Sequence, residues 1–380
     1  MGITMKKAGS NPELNIVSFD VPYPPDYGGV IDVFYKIKEL SRLGIKIYLH
    51  CFKYSRGKSN KLSSFCENIF YYPRNNNLVS FFSKTPLIIK SRSSPELLRN
   101  LLSNDAPILF EGLHSTYYID HPELRSRKFF LRAHNIEHDY YNELAKVELN
   151  LFKKIYLKSE FLKLKNYESK LEIFDLICTI SNQDCNYFSN KHKQVIYTPV
   201  FQGFQKSFKT KLKTYALYHG NLSVGENEKA VRYLIKEVFS KLEAPIYIAG
   251  RNPSRNLKNL IAKYSNIKLF GALTPKELDI IVSEAKIHIL PTFQSTGIKL
   301  KLVHALFTGG HVIINSKMTT NEDLKKCCII TDSAEDIINT VRKVLKEPVQ
   351  DEILKSRENV INEKFSNRKN ALTLIEKFYK

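Results

Sequence analysis

The stretch Leu290-Pro-Thr-Phe-Gln-Ser-Thr-Gly-Ile-Lys-Leu-Lys-Leu-Val-His-Ala-Leu, residues 290–306, contains a change of period. The apolar run 286–291 reads as a buried strand, Gln-Ser-Thr-Gly is turn chemistry, and 298–307 repeats its apolar residues at helical spacing. A buried strand that passes through a short polar turn into a helix is half of a strand–helix–strand unit. The same unit recurs in both directions from this point. Downstream, strands are expected at 311–315 and 328–331, then a helix at 334–345. Upstream, strands at 215–219, 245–249 and 267–270 alternate with helices at 226–241, 255–264 and 275–285. The first half of the chain repeats the scheme, with strands at 14–21, 45–54, 68–73, 107–112, 128–133, 176–181 and 195–199. Helix-length segments lie at 30–43 and 137–170. Such alternation produces parallel sheets covered by helices on both faces. The stretch 201–214 carries no sustained pattern. The sequence therefore predicts two doubly wound α/β domains, 1–200 and 215–355, joined by a linker at 201–214. Helices in 356–380 complete the chain, and the last, near 367–379, could pack on either domain.

Composition narrows the class. The chain has 380 residues, 43% of them hydrophobic and 12% aromatic, enough for two large cores and incompatible with global disorder. No apolar run reaches the roughly 18–20 residues of a membrane span, and the opening Met1-Gly-Ile-Thr-Met-Lys-Lys lacks a signal-peptide core. Six cysteines without a C-x-x-C read as reduced thiols. A cytoplasmic protein is the expectation. The net charge of +20, from 58 Lys+Arg against 38 Asp+Glu, invites a polyanionic partner. Part of it needs no function, because abundant Lys and Asn without Trp are what an A/T-rich genome produces. The densest block is 51–100, with nine Lys/Arg and two Asp/Glu among Phe52, Tyr54, Phe65, Phe70, Tyr71, Tyr72, Phe81 and Phe82. It is a candidate surface for anionic lipid at the inner face of the membrane.

In doubly wound sheets ligands bind beyond the carboxyl ends of the strands, so the loops there carry the chemistry. After the first strand comes Pro-Tyr-Pro-Pro-Asp-Tyr-Gly-Gly, 22–29, opening a helix. Gly28 and Gly29 allow close approach of an anion to the helix start. Neither G-x-G-x-x-G nor a P-loop is present. At 131–141, Leu-Arg-Ala-His-Asn-Ile-Glu-His-Asp-Tyr-Tyr places His134, Glu137 and His138 in the spacing of an inverted zinc-protease motif. His134 follows the strand too closely to lie inside a helix, so no metal is expected and a polar cluster is the preferred reading. In the second half, Gly220 and Asn221 follow one strand and Arg251 another. In the opening stretch, a helix over 298–307 puts Gly297, Lys301 and His304 on one face, at offsets of about 0°, 40° and −20°. With Lys299, and with the amides of the Thr296–Gly297 turn, this face would neutralise a diphosphate.

These segments, in this order, resemble the GT-B-fold glycosyltransferases of the retaining family 4 type, especially bacterial members with an "HN-x-E" segment and a "TGIKLKLL-x-AL" segment. The resemblance covers nearly the whole chain. It implies two Rossmann-like domains facing a cleft, the second binding a UDP- or GDP-sugar donor and the first a glycan or lipid-linked acceptor. It carries the donor diphosphate onto Gly28, Gly29, Gly220 with Asn221, Arg251, and Thr296, Gly297, Lys299 and Lys301. His134 falls beside the sugar and the acceptor hydroxyl, with Glu137 as the second catalytic candidate. One departure stands out. Where the family has two glutamates eight residues apart, this chain has Thr296 and His304, and a histidine cannot supply a bidentate anionic grip on a ribose.

The implied activity is hexosyl transfer in bacterial surface-glycan synthesis, retaining and without metal or other cofactor. No Asp-x-Asp clamp occurs in the sequence, so Arg251, Lys299 and Lys301 are left to stabilise the leaving diphosphate. Two rivals share some features. A nucleic-acid-binding protein would be as basic, but would not need glycines and cations at successive strand ends, and no nucleic-acid motif is present. A nucleotide-sugar epimerase would share the fold but need no acceptor.

Overall fold

The computed structural model describes residues 11–54, 56–75, 83–148, 150–209, 211–294 and 297–380. The chain forms two compact units, one running to Phe201 and recovering Asn367–Lys380, the other spanning Gln202–Ser366. Of the two C-terminal helices, Asp351–Lys364 belongs to the second unit and Asn367–Tyr379 to the first.

The first unit is a seven-stranded sheet of β1 (Glu13–Ser18), β2 (Lys46–Lys53), β3 (Asn68–Pro73), β4 (Ile108–Glu111), β5 (Phe129–Ala133), β6 (Leu176–Thr179) and β7 (Val195–Tyr197). Their order is β3-β2-β1-β4-β5-β6-β7, and every pairing is parallel. The strand period of two divides the apolar residues between two cores. Leu14 and Ile16 of β1 and Phe130 of β5 enter one core with Val33, Ile37 and Leu40 of helix Gly28–Arg42. Val17, Phe129 and Leu131 enter the other with Leu164 and Tyr167 of helix Leu151–Tyr167. Phe378 of the last helix stacks on Phe130 at 4.1 Å, which fixes that helix on the first sheet.

The second unit is a six-stranded parallel sheet of β8 (Lys213–His219), β9 (Ile246–Ala249), β10 (Ile267–Phe270), β11 (Ala285–Leu290), β12 (His311–Ile314) and β13 (Ile329–Ile330). Its order is β10-β9-β8-β11-β12-β13. Arg357 of helix Asp351–Lys364 is buried and donates to the carbonyls of Thr308, Gly310 and Cys327, tying that helix to the sheet edge.

All thirteen strands fall where the alternation places them. Two helices differ. The segment 137–170 is two helices, Glu137–Val147 and Leu151–Tyr167, the second capped by the Asn150 side chain, which accepts from Lys153 N. The helix expected at 298–307 runs only from Leu300 to Leu306. Gly297 lies before it at φ +68°, a left-handed turn that glycine adopts without strain. Gly297 therefore does not share a helical face with Lys301 and His304. The six cysteines are free. No helix among the described residues is long and apolar enough to cross a membrane.

The basic block 51–100 looks different in three dimensions. Phe52 and Tyr72 are fully buried, and Phe65, Phe70 and Tyr71 pack against the cores. Tyr54 is exposed. Phe81 and Phe82, on which the lipid-facing reading rested, lie outside the described residues.

Candidate functional site

In the first sheet the strand order reverses between β1 and β4, so their carboxyl ends and that of β5 form a switch point. A fully buried charge network lies there. Asp32 and Lys36, one turn apart on helix Gly28–Arg42, meet at 3.0 Å. Lys36 also lies 2.8 Å from Glu111 at the end of β4. Arg132 of β5 grips both oxygens of Asp32, at 2.8 and 3.0 Å, and donates to the carbonyls of Thr198 and Pro199. The Phe201 amide donates to Asp32 as well. Two acids and two permanent cations cancel. Burial alone would raise the Asp32 carboxyl, but Arg132 and Lys36 outweigh it and hold it far below the usual carboxylate range.

His134, one residue past β5, joins through Nε2, 3.1 Å from Glu111 Oε2. Its ring stands edge-on to Phe19 at 5.6 Å. Asp32, Glu111 and His134 could each offer a ligand atom to one metal ion. The Lys36 ammonium already sits against both carboxylates, so the cluster has its cation and does not suit a second. His138 points elsewhere, to Glu168, which Tyr187 and Lys191 also bind. The two histidines of the 134–138 pattern therefore serve different clusters.

Glu137 opens helix Glu137–Val147 and is 2% exposed. Burial, with Asp184 nearby, pushes its carboxyl up to about 8 against the opposing Arg92. Among the described residues its Oε1 has no hydrogen bond, and His114 Nδ1 lies 3.9 Å away, also without one. Arg92, itself buried, donates through Nε and Nη2 to the Phe19 carbonyl and so holds the loop after β1. Gly28 and Gly29 begin the next helix, whose first turn has no side-chain cap. A Cβ on Gly29 would stand 2.5 Å from Phe19 Cζ, so any larger residue here would have to push the Phe19 ring aside.

In the second sheet the reversal lies between β8 and β11. Gly220 and Gly250 follow β8 and β9 and touch: a Cβ on Gly250 would lie 2.1 Å from the Gly220 carbonyl oxygen. Asn221 builds the turn, its Oδ1 accepting from Ser223 and its carbonyl from Asn227 Nδ2. Arg251 is half-buried two residues past β9. Lys301 sits over the Tyr218 ring at 5.0 Å and donates to Tyr218 Oη at 3.1 Å and Asn227 Oδ1 at 2.8 Å. Lys299 lies 3.6 Å from Glu226, which also takes a hydrogen bond from Thr292. Burial lowers both ammonium groups, that of Lys301 to about 8, with Glu226 opposing. Two cations thus meet one acid, Glu226, in a buried place.

The structure brings Gly220, Asn221, Lys299 and Lys301 around one turn, and His304 sits beside it with its ring edge-on to His219 at 5.5 Å. The His304 ring stacks on Phe204 at 4.2 Å, and its Nε2 lies 3.1 Å from Asp279 Oδ1, so packing occupies it. Thr296 lies outside the described residues. Reading by strand-end loops missed Asp32, Lys36, Glu111, His114, Arg92, Tyr218, Glu226 and Asn227. A signal existed for some of them. Asp32 and Lys36 are charged residues on the apolar side of a helix, and Glu111 is an acid ending an apolar strand.

Two parallel-sheet α/β units with these connections make the GT-B fold. No protein-family model matches the chain. It is 28% identical over 355 residues to an uncharacterised 44.6 kDa protein in the cps region of Klebsiella pneumoniae, covering 87% of this chain and 91% of that protein. Among solved structures it is similar to S. aureus TarM, a variant in complex with fondaparinux, α-GlcNAc-glycerol and UDP. The TM-score is 0.66 at 10% identity, over 97% of this chain and all of that one (100%). WaaG, a glycosyltransferase involved in lipopolysaccharide biosynthesis, gives 0.65 at 12% identity, over 95% and 99%. The N-terminal domain of Candida albicans trehalose-6-phosphate phosphatase gives 0.66 at 11% identity, over 99% and 98%. At these identities the likeness is one of fold.

Proposed function

We propose that the chain is a glycosyltransferase that moves a hexose from a UDP- or GDP-sugar to a glycan or lipid-linked acceptor in bacterial surface-glycan synthesis. The observation that carries the reading is the Lys299–Lys301 cluster at the switch point of the second sheet. The departing nucleoside diphosphate gathers negative charge as the glycosidic bond breaks, and preorganised buried cations stabilise it most. Lys301, held by Tyr218 and Asn227, and Lys299 beside Glu226 are placed for that task, with Arg251 as a third cation. Gly250, with no side chain, lets the loop after β9 pack directly on the turn at Gly220 beside these lysines. In this reading the donor belongs to the second unit and the acceptor to the first. There His134, fixed through Nε2 by Glu111, orients the acceptor hydroxyl or polarises the sugar, and Glu137 is the second candidate. Retention follows if the leaving phosphate accepts the hydroxyl proton, which requires no carboxylate nucleophile. The cations make a metal unnecessary. A surface glycan is supported by the relative in the cps region of Klebsiella pneumoniae and by the shared fold of WaaG, a glycosyltransferase involved in lipopolysaccharide biosynthesis.

The test is a donor screen with purified protein, read by mass spectrometry, alongside calorimetry of UDP and GDP. Transfer or donor hydrolysis with one nucleotide sugar, unaffected by EDTA and abolished in Lys299→Ala/Lys301→Ala, is the expected outcome. Binding of single-stranded oligonucleotides without any nucleotide-sugar affinity would replace the reading with nucleic-acid binding. Conversion of the donor to an isomer without acceptor would replace it with epimerisation.

A further inference from the structure

Helix Leu151–Tyr167 is apolar on both sides. Its inward side, Leu157, Leu164 and Tyr167 with Glu160, is buried on the first unit, and Glu160 Oε2 accepts from the Leu87 amide at 2.6 Å. On a helix with one buried side the opposite side should be polar. Here Leu151 is 73% exposed, Phe152 87%, Ile155 66% and Leu162 58%. At about 100° per residue Leu151, Ile155 and Leu162 fall within about 40° of one another, at the middle of the outward side. Phe152 stands beside them at the exposed tip of the hairpin that this helix makes with Glu137–Val147.

The charges that this helix itself places along the apolar line are basic, although Lys153 pairs with Glu148 at the hairpin tip. The helix carries Lys153, Lys154, Lys158, Lys163 and Lys165, and its one acid, Glu160, is buried. Lys154, Lys158 and Lys165 lie along one flank, and among the described residues Lys158 and Lys165 make no ion pair. Lysine stems lie along an apolar surface and extend their ammonium groups outward. Apolar side chains reaching into an acyl layer, with lysines at the depth of phosphate headgroups, fit an anionic bilayer surface. Protein interfaces are depleted of lysine relative to the rest of the surface, whereas three lysines line this flank.

We propose that the outward side of helix Leu151–Tyr167 docks the first unit onto anionic membrane lipid. This surface is distinct from the basic block 51–100, whose described aromatics apart from Tyr54 serve the cores. It does not depend on the identity of the sugar donor, because none of its residues belongs to the lysine cluster of the second unit. Docking would bring a lipid-linked substrate to the unit that carries His134.

The experiment is co-sedimentation with vesicles of phosphatidylcholine alone and with about 30% phosphatidylglycerol. The variants are Phe152→Glu/Ile155→Glu and Lys154→Ala/Lys158→Ala/Lys165→Ala, all on the surface, with UDP affinity measured in parallel. Binding to the anionic vesicles only, weakened by salt and reduced about 10-fold or more in each variant at unchanged UDP affinity, is expected. Equal binding to both vesicles, or variants that bind like the parent, would overturn the proposal. So would a parent that sediments as a dimer and a Glu variant that sediments as a monomer, which would make this side an interface between copies. Loss of UDP affinity in the lysine cluster variants, with vesicle binding intact, would bear on the donor reading alone.

Discussion

Lys301 shows how a single side chain comes to have a task. Its ammonium is buried under Tyr218 and Asn227 and its proton affinity has dropped to about 8. In the proposed donor site, a bound diphosphate would add negative charge and raise that affinity again. The affinity gained from the charge is therefore complete below about 8 and fades as pH rises through the bound-state value. Calorimetry should show UDP binding weaken progressively above about pH 8. Lys301→Arg, which stays charged, should flatten the profile, and Lys301→Ala should cost about 10-fold at pH 7, the scale of one charged hydrogen bond. Glu137 titrates in the opposite sense. Its carboxyl is raised to about 8 in the folded protein, above about 4.3 in an unfolded chain. The fold thus loses stability as pH climbs between those values, because only the unfolded chain ionises freely. Glu137→Gln removes that loss, so its melting temperature should exceed the parent's near pH 8, with the gap closing toward pH 4.5. No gap at pH 8 would mean that the buried carboxyl finds a partner in solution.

At the scale of elements, strands were legible and helix boundaries less so. β3 and β10, both edge strands and only partly buried, were read to the residue because their short β-rich runs end abruptly at turn residues. The helix after β11 was expected to begin two residues early, since Ile298 continues its apolar period. The left-handed backbone at Gly297, which no side-chain pattern announces, delays it to Leu300. The split of 137–170 came from Asn150, whose side chain caps the second helix inside a run that still alternates at helical spacing. The last helix is held by Ala371, Leu374 and Phe378 in the core, with Phe378 stacked on Phe130. Phe378→Ala should cost the first unit about 3–5 kcal/mol, the usual loss for a buried aromatic. Calorimetric melting should show the first unit's transition fall while UDP affinity at room temperature is unchanged. An unaltered transition would mean that the helix contributes little to that unit.

At the scale of the whole molecule, the amino-acid sequence alone determined two parallel α/β units, the loops in which to look for chemistry, and most of the lysines and glycines at the second switch point. It could do so because periodicity and turn residues act between near neighbours in the chain, where sequence distance and spatial distance agree. The tertiary structure decided what depends on residues far apart. It joined Asp32 to Arg132 and Lys36 to Glu111, set His134 against Glu111, and withdrew His304 into a stack with Phe204. It also placed most of the aromatics of the basic block in the cores and left Phe152 and Ile155 outside. Exposure and charge pairing are set by which surfaces the fold brings together. A hydrophobic residue in the sequence states only a preference for burial; its packing partners determine whether that preference is met.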